Sequence, residues 1–182
     1  MNQAYNRSVG DWPSFPAYDL MYTDPPWNEG IMKLFQKSAM VKTGRASKET
    51  MKDALNQLFA SAHRDKPMLV EFSARGWDKV VEIGKYCGHR YTGHALALQC
   101  NGKPMVVLSF NTDYLTPTLG LDEEGCIRAA IAALKPGLVF DPFAGLGVTA
   151  EIIIKCGARF IGGEMNGARY AELKKVIDKS NQ

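Results

Sequence analysis

The chain's most constraining stretch is Thr23-Asp24-Pro25-Pro26-Trp27, which directly follows an apolar run from Tyr18 to Tyr22. That run reads as a buried strand. The two prolines must end it, because neither has an N–H to donate to a sheet ladder. A carboxylate, two rigid residues with free carbonyls and a large aromatic ring are thereby delivered to a strand's carboxyl end. In open α/β sheets that edge is where ligands bind. An amino group on a flat ring suits these residues: Asp24 accepts one N–H, a proline carbonyl accepts the other, and Trp27 stacks on the ring. Taken alone, the same residues read equally well as a Pro-Pro turn with an exposed Asp and a core Trp.

The remaining chain alternates strand and helix. Residues 1–17 are polar and aromatic, and Pro13 and Pro16 argue against a long element there. After Trp27 comes a basic stretch: between Ile31 and Lys52, Lys33, Lys37, Lys42, Arg45, Lys48 and Lys52 are opposed only by Glu49. Val41 to Ala46 lacks helical periodicity and reads as a loop. Ser47 is a plausible N-cap for a helix whose Met51, Leu55, Leu58 and Phe59 share one face. Pro67 to Ser73 reads as a buried strand and Trp77 to Cys87 as a helix. Tyr91 to Gln99 and Lys103 to Asn111 form a hairpin, with Asn101-Gly102 as a two-residue turn needing positive φ at both positions. A linker from Thr112 leads to a helix capped by Asp122. The strand Leu138 to Phe140, a helix over Ala150 to Cys156, a strand Arg159 to Glu164 and a helix from Asn166 complete the chain.

Composition excludes several classes. With 182 residues, 46% hydrophobic and 23% charged, the chain reads as one ordinary globular domain. A net charge of +3 is too small to argue for an acidic partner by itself. Cys87, Cys100, Cys126 and Cys156 contain no C-x-x-C pair, and His63, His89 and His94 show no metal spacing, so no metal is expected. The thiols read as reduced, implying a cytoplasmic protein. No apolar run is long enough to span a membrane.

A second motif follows the Leu138 strand: Asp141-Pro142-Phe143-Ala144-Gly145-Leu146-Gly147-Val148-Thr149. Glycines between a strand and a helix let backbone N–H groups approach a ligand. The pair is weak evidence until joined by Glu164, about 20 residues on, the spacing at which an acid meets ribose hydroxyls. Asp141 would repel a pyrophosphate but attract a cation. That favours S-adenosylmethionine, whose amine and sulfonium are positive, over a dinucleotide.

With both motifs in hand, the sequence resembles the amino methyltransferases that act on exocyclic amines of DNA bases. Asp24-Pro25-Pro26-Trp27 is similar to the family's D/N/S-P-P-Y/F/W tetrapeptide, and Asp141 to Gly147 to its D-P-F-x-G-x-G. The catalytic motif comes first, as in the permuted β group. The resemblance implies a single Rossmann-like, S-adenosylmethionine-dependent α/β domain with a mixed sheet, an antiparallel hairpin and circularly permuted motif order. It implies a catalytic, target-base half over residues 1–111 and a cofactor-binding half over 112–182, with catalysis by Asp24, Pro25, Pro26 and Trp27. Cofactor binding falls to Asp141, Pro142, Phe143, Gly145, Gly147, Thr149 and Glu164. Thr118, in a segment similar to the family's H-P-T-x-K-P, and Asp11, in a Gly-Asp pair, are added to that set.

Asp in the first position resembles the adenine members, implying N6-adenine methylation in DNA in a bacterial or phage-type, nucleoid-associated setting. Trp27 in the fourth position is also similar to RNA adenosine methyltransferases. A non-catalytic nucleic-acid-binding subunit is the alternative of another class. For phosphate contact the candidates are Lys33, Lys37, Lys42, Arg45, Lys48 and, on the hairpin turn, Lys103. The basic stretch reads equally well as a solvated helix face. The chain departs from the family in three places. Gly120-Leu121 replaces Lys-Pro, Leu98-Gln99-Cys100 replaces an aromatic with a lysine, and only a linker occupies the place of the target-recognition region. A homodimer or a recognition partner would supply the missing surface.

Overall fold

The computed structural model describes residues 1–33, 50–99, 101–117 and 120–182. Seven strands form one sheet: β1 (Gln3–Tyr5), β2 (Leu20–Thr23), β3 (Met68–Ser73), β4 (Tyr91–Leu98), β5 (Pro104–Phe110), β6 (Leu138–Asp141) and β7 (Arg159–Gly163). Their spatial order is β1-β7-β6-β2-β3-β5-β4. Only β5 runs against its neighbours, pairing antiparallel with β3 and β4. The helices are α1 (Met51–Ser61), α2 (Trp77–Tyr86), α3 (Glu123–Leu134), α4 (Val148–Lys155) and α5 (Gly167–Ser180).

β2 lies at the centre, between β6 and β3, and all four of its residues are buried. A strand covered on both faces has no polar side, which is why Leu20-Met21-Tyr22-Thr23 reads as a continuous run. Leu20 pairs with Val139 and Met21 with Phe140. The strands bearing the two motifs are therefore neighbours, as the sequence requires. Each face of the sheet has its own core. On one, α1 and α2 set Leu55, Leu58, Phe59 and Val80 against Met21, Met68, Val70 and Phe140. On the other, α3, α4 and α5 set Ile127, Ile131, Ile153, Leu173 and Ile177 against Leu20, Leu69, Val139 and Phe160.

Caps begin the helices where local chemistry allows. Asp122 Oδ1 accepts from the Gly125 N–H at 2.8 Å, and Asn166 Oδ1 from those of Ala168 and Arg169. The cap of α1 is Thr50, whose hydroxyl accepts from the Asp53 N–H while the Asp53 carboxylate accepts from the Thr50 N–H. Ser47, read as that cap, lies outside the described residues, as does the loop from Val41 to Ala46.

One element is added and two expectations are corrected. Residues 1–17 hold no long element, as expected, but they do contain a three-residue strand: β1 pairs parallel with β7 from Gln3↔Ile161 to Tyr5↔Gly163. Three residues at a sheet edge carry too short an alternation to be seen in sequence. The leading strand runs from Leu20 to Thr23 rather than from Tyr18, whose hydroxyl instead accepts the His63 N–H at 2.8 Å. In the hairpin turn, Gly102 has the positive φ expected, +77°. Gly102 N–H donates to the Gln99 carbonyl and Gln99 N–H to the Lys103 carbonyl, both at 2.8 Å, so the connection is a wider loop ending in a left-handed glycine.

Candidate functional site

The carboxyl ends of β2, β6 and β7 open into one cavity of about 290 Å³. Asp24, Pro25, Pro26 and Trp27 form one wall; Pro142 to Leu146, Thr149 and Glu164 form another. The two motifs are also tied directly. Thr23 Oγ1 donates to Asp141 Oδ1 at 2.7 Å across 118 residues of chain, and the Phe143 N–H donates to the same oxygen at 2.9 Å. Asp141 is 1% exposed and sits behind the cavity wall. Burial pushes its carboxyl up to about 7, opposed by those two donors and reinforced by the charge of Glu164.

The glycines do different work. Gly145 has φ +58° and lines the cavity. Gly147, at φ +93°, begins α4 behind the lining; a Cβ there would meet the Leu173 backbone at 3.2 Å. It serves close helix packing. Glu164, 7% exposed, ends β7, where its N–H donates to the Tyr5 carbonyl at 3.0 Å. Its Oε1 accepts from the Asn166 N–H at 2.6 Å, and its Oε2 lies 3.5 Å from Arg169 Nε. Burial raises its carboxyl above the usual range, opposed by the Asn166 N–H and the Arg169 charge.

On the other wall the Trp27 indole N–H donates to Asp24 Oδ1 at 2.6 Å, and the ring packs at 6.4 Å from Phe72. Protein around Asp24 pushes its carboxyl up to about 7; the Trp27 bond opposes this, and the charges of Glu123 and Asp141 add to it. Asp24 stands exposed toward the cavity, and water entering there screens part of that shift. Two acids that no motif announces join it: carboxylate oxygens of Asp24, Glu71 and Glu123 lie within 4.8 Å of one another. That spacing suits a bound cation or a shared proton. Glu71, 2% exposed on β3, accepts the Tyr22 O–H at 2.6 Å. Burial and the Asp24 charge drive its carboxyl well above the usual range. A proton on Glu71 relieves the repulsion among the three.

Sequence reasoning missed Arg7, Glu71, Gln99, Glu123 and Arg169, although a glutamate inside the apolar Met-Leu-Val-Glu-Phe strand was a visible signal. Glu123 reaches the site because the Leu98 N–H bonds the Leu121 carbonyl, drawing the start of α3 beside the end of β4. Asp11 is placed next to the cavity, whose lining includes Ser8 and Val9, but its carboxylate accepts the Ser8 N–H. Lys33 and Lys103 are exposed; the first is two residues from the cavity-lining Ile31, and the second is on the hairpin whose Gln99 lines it. Lys37, Lys42, Arg45, Lys48 and Thr118 lie outside the described residues. No helix among the described residues is long and apolar enough to cross a membrane.

No protein-family model and no curated relative matches the chain. Solved structures do. The M1.HpyAVI–SAM complex superposes with a TM-score of 0.69 at 16% identity, over 98% of this chain and 100% of that one. TTHA0409 from Thermus thermophilus, complexed with S-adenosyl-L-methionine, gives 0.67 at 12%, over 99% and 96%. The PvuII cytosine-N4-specific DNA methyltransferase gives 0.56 at 12%, over 100% and 92%. At these identities the likeness is one of architecture, and the seven-stranded mixed sheet with its helices on both faces is the S-adenosylmethionine-dependent methyltransferase fold.

Proposed function

We propose that this protein is an S-adenosylmethionine-dependent methyltransferase acting on the exocyclic amine of a nucleic-acid base, with adenine N6 in DNA as the preferred target. The observation that carries the reading is the single cavity into which Asp24-Pro25-Pro26-Trp27 and the glycine turn both open, joined by the Thr23–Asp141 hydrogen bond. Two solved structures of the same fold are described as complexes with S-adenosylmethionine, and a third as a DNA methyltransferase.

The residues present suit that cofactor. Glu164 can accept ribose hydroxyls, backbone groups of the glycine turn can approach the tail, and the acidic wall favours a sulfonium. When bound, the cofactor would supply an electrophilic methyl group, its sulfonium S–C bond breaking as the bond to nitrogen forms and a neutral thioether leaving. The chain's own residues act on the amine. An aromatic amine is a poor nucleophile because its lone pair is delocalised into the ring. Asp24 and the Pro25 carbonyl accept its two hydrogens and draw the nitrogen toward tetrahedral geometry. Trp27 holds the ring face while its N–H keeps Asp24 in place. Once the new N–C bond forms, the nitrogen sheds one proton, and Asp24 is positioned to take it. Placing both reactants in one cavity supplies much of the rate. A base in a duplex must be flipped out to enter.

Asp24 as the first residue of the tetrapeptide supports adenine, although the PvuII enzyme shows that this fold also serves cytosine N4. We assign phosphate contact to Lys33 and Lys103 with the basic stretch after Trp27, and target reading to a homodimer or recognition partner. Radiolabelled methyl transfer to DNA, RNA and protein in parallel tests the reading, with the modified base identified after digestion. Label on N6-methyladenine in DNA is the expected result. Label confined to RNA or protein would replace the substrate, and transfer to none of the three would overturn the enzyme assignment.

A further inference from the structure

Arg169 stands in the first turn of α5, its N–H held by the Asn166 cap. Its guanidinium lies across the glycine turn, so that a Cβ added at Gly145 would fall 2.6 Å from Arg169 Nη2. Its Nε is 3.5 Å from Glu164 Oε2, and its side chain keeps 31% exposure on the cavity wall.

The wall is otherwise acidic. Asp24, Glu123 and Glu164 line it, and Asp141 lies directly behind. Among the described residues, the cations lining the cavity are Arg7 and Arg169. Arg7 sits with Ser8 and Val9, its guanidinium 5.4 and 5.2 Å from the Tyr5 and Trp12 ring centres. It is engaged over those rings, whereas the Arg169 guanidinium lies against Gly145. S-adenosylmethionine carries three charged groups, and the acids suit only two, the ammonium and the sulfonium. The third is a carboxylate, which a cavity of carboxylates repels. A guanidinium matches a carboxylate with two parallel N–H donors. With five donors in all, it can do so while remaining beside Glu164.

We propose that Arg169 binds the α-carboxylate of the cofactor's methionine tail, so that the site selects the intact amino-acid tail over an amine lacking it. The proposal rests on the methyl-donor reading and adds a specificity to it. The geometry also assigns a second reason for glycine at position 145. A side chain there would displace the guanidinium as well as strain the turn.

Titration calorimetry with S-adenosylmethionine and its decarboxylated analogue tests this on the wild type, R169A and R169K. A charge-assisted pair of hydrogen bonds corresponds to roughly 10- to 100-fold in affinity. R169A should lose about that factor toward S-adenosylmethionine while binding the analogue within about threefold of wild type. R169K should retain part of the discrimination, since it keeps the charge but not the fork. R169Q serves as the neutral probe if circular dichroism shows R169A unfolded. Equal loss of both ligands would overturn the proposal, because Arg169 would then act only by positioning Glu164. A wild type that binds neither ligand would overturn the methyl-donor reading itself, and the Arg169 assignment with it.

Discussion

The two walls of the cavity hold their acids by different means. On the glycine-turn side each carboxylate has donors built into the fold: Asp141 takes the Thr23 hydroxyl and the Phe143 N–H, and Glu164 takes the Asn166 N–H with Arg169 beside it. On the Pro-Pro side, Asp24, Glu71 and Glu123 crowd within 4.8 Å, with the Trp27 N–H on one and the Tyr22 O–H on another. Donors built into the fold oppose the burial that raises Asp141 and Glu164, and set both acids to face a cation. Crowded acids with few donors favour a shared proton. The first arrangement suits holding a fixed ligand and the second suits a group that must accept a proton during a reaction.

The largest effect should come from Asp24. D24A is expected to lower methyl transfer by about 10³-fold or more, since it removes both an acceptor for the amine and its proton sink. Affinity for S-adenosylmethionine should stay within about threefold of wild type. Single-turnover kinetics with calorimetry checks both, and a mutant that retains most of its turnover would erase the distinction between the walls.

Next comes the opposite wall. E164A should weaken S-adenosylmethionine about 10- to 100-fold in calorimetry, as expected for hydrogen bonds to a charged acceptor. Equal binding by the mutant would remove Glu164 from the cofactor site. T23V probes the link between the walls. It strips one donor from a sealed carboxylate, and about 2 kcal/mol of stability should be lost in urea denaturation. A change under about 0.5 kcal/mol would mean that the Phe143 N–H suffices alone.

The smallest effect is on the pH slope. Asp141 is raised to about 7 in the fold, and Glu71 and Glu164 are raised as well. Acids raised by folding bind more protons in the native than in the unfolded state between their two titration points. Their contribution is therefore complete below about pH 4 and is lost as pH rises through about 7. Asp24 opens to the cavity and contributes less of this than the sealed pair, Asp141 and Glu71. Thermal melts of the ligand-free protein should show this component falling from pH 5 to pH 8. E71Q, which fixes the neutral form, should flatten the slope while changing stability at pH 7 by less than about 1 kcal/mol. A steeper slope in E71Q would show that Glu71 is ionised in the native state.

Much of this was legible in the chain because it is local. Prolines that end a strand, glycines that begin a helix and caps such as Asp122 and Asn166 act within a few residues of themselves, so their order along the chain already yields the elements and the two motifs. The adjacency of β2 and β6 followed as well, since two motifs serving one ligand must share an edge. Tertiary structure alone decided the rest. β1 is a strand only because β7 presents an unpaired edge to it. Tyr22 meets Glu71 across 49 residues, and Thr23 meets Asp141 across 118. Glu123 enters the cavity through one backbone bond between Leu98 and Leu121. Arg169 faces the glycine turn because α5 packs closely on Gly147, where an added Cβ would lie 3.2 Å from the Leu173 backbone. Such contacts depend on which surfaces the core brings together, and a residue's charge in them is set by burial and neighbours rather than by its own chemistry, so the chain marks at most one partner, as the glutamate within Met-Leu-Val-Glu-Phe does, and never the pairing.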